Sequence, residues 1–270
     1  MNPNKDLWEK GDFTKIAATM RDSGEMFVAG IDKHLPMRAL DLGCGDGTTA
    51  VPLAKYGAEV LGIDIARNLV ECGNRRAAAD GLKNLLFQEG DACRLDGIAD
   101  ASFDLTLSVF GAMFAPRPFE VAHEMVRVTK PGGQIVMGNW IPNDPTSFVS
   151  QVLKISAAFV PPPPEGFISP MTWGVESHVV DRFGKAGIAE ENISMIKDTF
   201  FFTGSMTAEN LINLFKDYYG PTMNAFDAAT KSGREQELLQ QLLVLAHAQN
   251  TATDGTVRIG ATFLKVTIRR

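Results

Sequence analysis

At 270 residues the chain is long enough to bury one sizeable α/β core, with or without an insertion. Hydrophobic residues at 45%, charged residues at 21% and a net charge of -6 describe a globular chain without the clustered Lys and Arg of a nucleic-acid surface. No apolar run approaches the ~20 residues of a membrane span, and the opening Met1-Asn2-Pro3-Asn4-Lys5-Asp6 lacks the apolar core of a secretion signal. The 3 cysteines have no metal-ligand spacing, so no metal site is expected and a reduced, cytoplasmic location is.

In chain order, residues 12–34 read as helical, because Phe13, Ile16, Ala17, Met20, Phe27, Val28 and Ile31 recur at helical spacing. A break is expected near Ser23-Gly24, and Pro36 ends the segment. From residue 38 strands and helices alternate, which is the signature of a parallel sheet covered on both faces. Strands are predicted at 38–42, 59–64, 85–89, 103–109 and 134–140, with helices at about 48–56, 67–80 and 116–129 between them. Lys130-Pro131-Gly132-Gly133 is the stop signal after the last of these helices. Beyond Trp140, Asp144-Pro145 opens an apolar helix to about Val160, followed by the stiff connector Pro161 to Pro164. A helix at about 175–186, a strand at 193–203, helical sequence over 207–249 and a final strand at 258–267 complete the reading.

The chemistry is concentrated in Ala39-Leu40-Asp41-Leu42-Gly43-Cys44-Gly45-Asp46-Gly47 and in Gly62-Ile63-Asp64. A strand that ends in alternating glycines can turn sharply and bring its backbone close to a ligand. The acid tipping the next strand, Asp64, is placed to accept hydrogen bonds from ribose hydroxyls, so an adenosine-containing cofactor is expected. A dinucleotide-dependent oxidoreductase shares these features, but its third glycine would stand where this chain has Thr48. Asp41 precedes the loop, where it can meet a cationic ligand group, and Glu89-Gly90-Asp91-Ala92 puts another acid where an adenine amine would lie.

Together with Phe103-Asp104-Leu105 and the Lys130–Gly133 turn, these motifs resemble the class I S-adenosylmethionine-dependent methyltransferases over residues 38–140. The branch resembled is the methyltransferase type 11-like one, near the ubiquinone- and menaquinone-biosynthesis enzymes. The resemblance implies a doubly wound, mostly parallel, seven-stranded Rossmann-like sheet with an antiparallel last strand and helical cap insertions. It divides the chain into an N-terminal helical segment, 1–37, covering the cofactor, and a methyltransferase domain, 38–270, with cap excursions at about 141–175 and 204–257. It also implies that S-adenosylmethionine is held by Phe13, Asp41, Gly43, Cys44, Gly45, Asp64, Ile65, Asp91, Ala92 and Ser108, with S-adenosylhomocysteine as product.

Ligands of open parallel sheets bind outside the carboxyl ends of the strands. That edge and the two excursions carry many aromatic residues, which suits a small apolar or aromatic methyl acceptor. Met113, Phe114, Trp140, Trp173, His178 and Tyr218 are the candidate acceptor contacts, with His178 or Tyr218 as the base if one is used. Transfer to O, C or N by in-line displacement needs alignment and exclusion of water more than a catalytic triad. The alternatives are a non-catalytic S-adenosylmethionine-binding protein and the dinucleotide-dependent oxidoreductase.

Overall fold

The computed structural model describes residues 4–270, so Met1-Asn2-Pro3 of the stretch read for a secretion signal lie outside the described residues. Three short helices come first, α1 (Lys5–Glu9), α2 (Thr14–Ala18) and α3 (Arg21–Ala29). The break falls at Thr19-Met20 and not at Ser23-Gly24: the Thr19 hydroxyl donates to the Ile16 carbonyl at 2.7 Å and ends α2. Gly24 lies inside α3 because a Cβ there would come within 2.5 Å of the Thr48 carbonyl, so the glycine permits close approach to the loop after the first strand. Ser23 beside it exchanges hydrogen bonds with the backbone of Phe201, at 3.1 and 2.8 Å.

The sheet then builds as β1 (Arg38–Leu42), α4 (Ala50–Lys55), β2 (Glu59–Asp64), α5 (Arg67–Ala79), β3 (Leu85–Glu89), β4 (Phe103–Val109), α6 (Pro118–Val128) and β5 (Thr129–Trp140). The second half adds α7 (Phe148–Ala157), α8 (Glu176–Lys185), β6 (Ile193–Gly204), α9 (Ala208–Tyr218), α10 (Gly220–Lys231), α11 (Glu235–Gln249) and β7 (Val257–Arg269). The strand order is β3-β2-β1-β4-β5-β7-β6. Strands β1 to β5 pair in parallel, and β7 lies antiparallel between β5 and β6. This is the expected Rossmann-like sheet. Leu40, Leu42, Leu105, Leu107, Ile135 and Val136 are fully buried, as parallel strands covered on both faces require.

The Lys130–Gly133 turn is accommodated as a bulge, since Phe103 pairs with Thr129 and Leu105 already pairs with Gln134. Asp104 pins that edge by accepting from the Arg38 N–H at 2.8 Å and from Lys130 Nζ at 2.7 Å. β7 is long enough to pair with β6 along Ile193–Gly204, but with β5 only from Phe263 onward. The free end of the β6/β7 ribbon therefore projects past β5, and α9, α10 and α11 are inserted between its two strands.

Candidate cofactor and acceptor site

The β1 loop is shaped by glycines with left-handed backbone, Gly43 and Gly45 foremost. Gly43, at φ +70°, lies so close to the turn after β4 that a Cβ would sit 2.7 Å from the Gly111 Cα. At Gly45, φ +55°, a Cβ would meet nothing within 4 Å, which leaves an open cradle beside the backbone. Asp64 closes the other side. Its carboxylate accepts from the Gly45 N–H at 2.8 Å and from the Ala66 N–H at 2.9 Å, tying the loop to the start of α5. Burial raises the Asp64 carboxyl above its usual range, against the pull of those donors.

Asp41 lies behind the loop and accepts from the Thr49 hydroxyl at 2.6 Å, while its Oδ1 is buried without a partner. Burial pushes this carboxyl up to about 7. Among the described residues no basic side chain forms an ion pair with Asp41 or Asp64. A ligand bringing hydroxyls and a cationic group would supply what these acids lack. Asp46 in the same loop is paired, with Arg21 Nη2 at 2.6 Å. Burial holds the Cys44 thiol well above its usual range, so it is a neutral wall atom and not a nucleophile.

The N-terminal helices cross the mouth of this cleft. Phe13, Ile16, Ala17 and Met20 line it, and Trp8 packs edge-on against Phe13, Phe114 and Tyr219 at centroid distances of 5.8, 5.0 and 6.0 Å. Lys5 is tied to Glu89, and Glu9 accepts from the Arg67 N–H at 3.0 Å. On the cap side Lys10 bonds to Asn224 at 2.7 Å and to Asp227 at 2.6 Å. The strap thus joins the sheet to α10 over a cleft that opens to solvent.

Beyond the loop the wall becomes aromatic. Phe110 stacks on Trp140 with centroids 3.5 Å apart and planes 7° from parallel, and Phe200 meets Phe110 edge-on at 5.1 Å. Phe202, Phe215 and Tyr219 continue the surface, with Phe215 and Tyr219 at 5.2 Å. Phe110 takes φ +65°, a left-handed conformation costing roughly 1–2 kcal/mol in a residue with a Cβ. Its N–H donates to the Gly138 carbonyl at 2.9 Å and its ring is clamped on Trp140, so tertiary contacts hold the strain.

Of the residues singled out in the sequence, Phe13, Gly43, Cys44, Gly45, Asp64, Ile65, Ala92, Phe114 and Trp140 line this cleft. The others do not, each for a physical reason. Ser108 is buried, donates to the Leu42 carbonyl at 2.7 Å and accepts from the Ala112 N–H at 3.0 Å, so it braces the turn from behind. Asp91 is not among the lining residues; it accepts from the Cys93 N–H at 2.9 Å and lies 3.9 Å from Arg117, while Gly90 and Ala92 line the cleft on either side. Asp41 is covered by the loop it supports.

Met113 is buried in the core, since the turn directs Ala112 and Phe114 to the cleft instead. Trp173 is buried under the Arg182 guanidinium at 4.5 Å and against Phe183. His178 is exposed on α8, outside the cleft. Tyr218 ends α9 half-buried against the core and does not line the cleft, whereas its neighbour Tyr219 does. The sequence offers Tyr219 as one of the excursion aromatics but puts Tyr218 forward as the contact, because a Tyr-Tyr pair does not say which ring points inward; Arg21 went unrecognised, since an isolated arginine in a helix reads as surface.

Residues 40–137 match the family described as "Methyltransferase domain". An uncharacterized protein of Mycobacterium tuberculosis is 31% identical over 236 residues, covering 85% of this chain and 81% of its own. A demethylmenaquinone methyltransferase of Paenarthrobacter aurescens is 30% identical over 171 residues, 59% of this chain and 65% of that one. Among solved structures, a phosphoethanolamine N-methyltransferase of Haemonchus contortus, determined with S-adenosylhomocysteine, superposes with a TM-score of 0.60 at 13% identity, covering 100% of this chain and 60% of that one. With the glycine loop, the acid-tipped second strand and the seven-stranded order, these likenesses place the chain in the class I S-adenosylmethionine-dependent methyltransferases, with S-adenosylmethionine as its cofactor.

Proposed function

We propose that the chain is an enzyme that moves a methyl group to O, C or N of a small hydrophobic or aromatic acceptor. The observation that carries this reading is a continuous cleft whose polar end is the Gly43–Gly45 loop with Asp64 and whose other end is aromatic. Bound S-adenosylmethionine supplies an activated methyl on its sulfonium, so the chain is required to bind, orient and exclude water.

In this reading Asp64 accepts from the ribose hydroxyls while its backbone bonds keep the carboxylate in place. The cradle at Gly45 admits the amino-acid part of the cofactor, and Asp41, through its unpartnered Oδ1, favours the ammonium group electrostatically. Ile65 and Ala92 flank the adenine, and Phe13 covers the cofactor from the N-terminal segment. The segment 1–37 acts as the cover, and residues 38–270 form the methyltransferase domain, with cap excursions supplying the acceptor wall. An apolar acceptor is in keeping with the name of the demethylmenaquinone methyltransferase relative.

The test is transfer of a labelled methyl from S-adenosylmethionine to a panel of aromatic hydroxyl, carbon and amine acceptors. Turnover by the wild type that is lost in Asp64→Ala supports the reading. Tight cofactor binding without turnover on any acceptor class would favour a non-catalytic binder.

A further inference from the structure

The aromatic end of the cleft is chemically one-sided. Its surface is Phe110, Trp140, Phe200, Phe202, Phe215 and Tyr219, and among the described residues no Lys, Arg or His lines the cleft at all. The two lining carboxylates, Asp46 and Asp64, belong to the glycine-loop end and are already engaged, by Arg21 and by two backbone N–H groups. A charged acceptor would lose its hydration on entering this end and find no counter-charge, which is strongly unfavourable. An ammonium-bearing acceptor would also find no side chain there to take its proton.

Tyr219 breaks the apolar pattern. It is 4% exposed, lines the cleft and is fixed by edge contacts to Trp8 and Phe215, yet its hydroxyl hydrogen-bonds to no other described residue. Burial raises its pKa above the usual phenol range, so the hydroxyl stays protonated at neutral pH and is a donor. A hydroxyl that faces the cleft without a protein partner is an expected point of ligand contact, because a ligand that displaces water from it must replace the lost hydrogen bond.

We infer that the acceptor is an uncharged, planar aromatic molecule carrying a ring oxygen, and that Tyr219 fixes its orientation by donating a hydrogen bond to that oxygen. The inference rests on the proposed methyltransferase reading and narrows its acceptor class. Trp140 and Phe110 supply the flat surface on which such a ring stacks. Selectivity follows from the cost of burying charge, and orientation from a single polar contact.

The test is calorimetric binding to the protein saturated with S-adenosylhomocysteine, using four probes of one shape: 2-naphthol, 2-methylnaphthalene, 2-naphthoate and 2-naphthylmethylamine. The expected order has 2-naphthol tightest and both charged probes at least about tenfold weaker. Tyr219→Phe should weaken 2-naphthol by about fivefold to tenfold and leave 2-methylnaphthalene unchanged. The unliganded variant should melt no lower than wild type, because the hydroxyl it loses has no partner. Equal or tighter binding of a charged probe, an equal loss for both neutral probes in Tyr219→Phe, or no binding of 2-naphthol would each overturn the inference. Those outcomes leave the underlying reading standing as long as S-adenosylhomocysteine itself binds. Failure of that first saturation step would remove the reading and the inference together.

Discussion

The two ends of the cleft are built by different means. The cofactor end is local: Asp41, Gly43, Gly45 and Asp46 fall within six residues, and Asp64 follows directly from the next strand, in register beside β1. The acceptor end is assembled from the ends of β4 and β5, from β6, α9 and the strap before α2, and only the pairs Phe200/Phe202 and Phe215/Tyr219 of its main aromatics share a segment. A local site is specified by backbone geometry that few sequences satisfy. An assembled one is specified by volume and shape, which many apolar sequences satisfy equally well. The same contrast separates polar from apolar energetics, so substitutions at the two ends should fail in different ways.

The largest effect expected is at the assembled end. Trp140→Ala removes one of two stacked rings and leaves a void, lowering stability by about 3–5 kcal/mol in urea unfolding. Trp140→Phe, which keeps most of the volume, should stay folded, retain S-adenosylhomocysteine affinity and lose aromatic acceptor binding. If Trp140→Phe lost the cofactor as well, the two ends would not be separable.

At the local end, Arg21→Ala leaves Asp46 without its counter-charge while Asp46 remains almost wholly buried. An uncompensated buried carboxylate costs roughly 1–3 kcal/mol, and S-adenosylhomocysteine affinity should fall about tenfold with acceptor-probe binding unaffected. Titration of both ligands into one variant measures this directly.

Asp41 gives the pH dependence. Its carboxyl titrates near 7 when folded, against about 3.9 in an unfolded chain, so the folded state holds the extra proton between those values. Its contribution to the stability of the unliganded protein is therefore fully present below about pH 4 and is lost as pH rises through 7. Asp41→Asn should flatten that slope in melts between pH 5 and 8. Cofactor affinity should change in the opposite sense, tightening as Asp41 ionises, by no more than about tenfold per pH unit.

The smallest effects sharpen the boundary of the site. His178→Ala, on the exposed face of α8, and Tyr218→Phe should each change stability by less than about 0.5 kcal/mol. Met113→Leu should cost less than about 1.5 kcal/mol as a core swap of similar volume. None of the three should alter binding of cofactor or acceptor probe, and a change at His178 would put catalytic groups outside the cleft described here.

This division explains what could be read from the sequence. The strands β1 to β4 coincide with their predicted bounds because a parallel strand covered on both faces is a short apolar run between strong turn residues. Gly43, Gly45 and Asp64 were legible because left-handed backbone and an acid at a strand tip leave few alternatives. Ser108 was placed correctly at the end of β4 and Asp91 in the loop after β3, but neither side chain lines the cleft, since a residue's position is local and its side-chain direction is not. Met113 against Ala112, and Tyr218 against Tyr219, are one-residue errors of the same origin: helical phase at a turn or a helix end is set by tertiary packing. Trp173 reads as an acceptor contact from its aromatic ring alone, and Arg182 over that ring could be foreseen only from the fold.

The most direct measurement is calorimetric titration of S-adenosylhomocysteine and of NAD into the wild type and Asp64→Ala, with thermal melts in parallel. The account predicts that S-adenosylhomocysteine binds the wild type, and at about 100 times its dissociation constant adds roughly 2.7 kcal/mol of stability. It predicts that this gain is lost in Asp64→Ala and that NAD produces none. Stabilisation by NAD in place of S-adenosylhomocysteine, or full retention of S-adenosylhomocysteine binding without the Asp64 carboxylate, would contradict it.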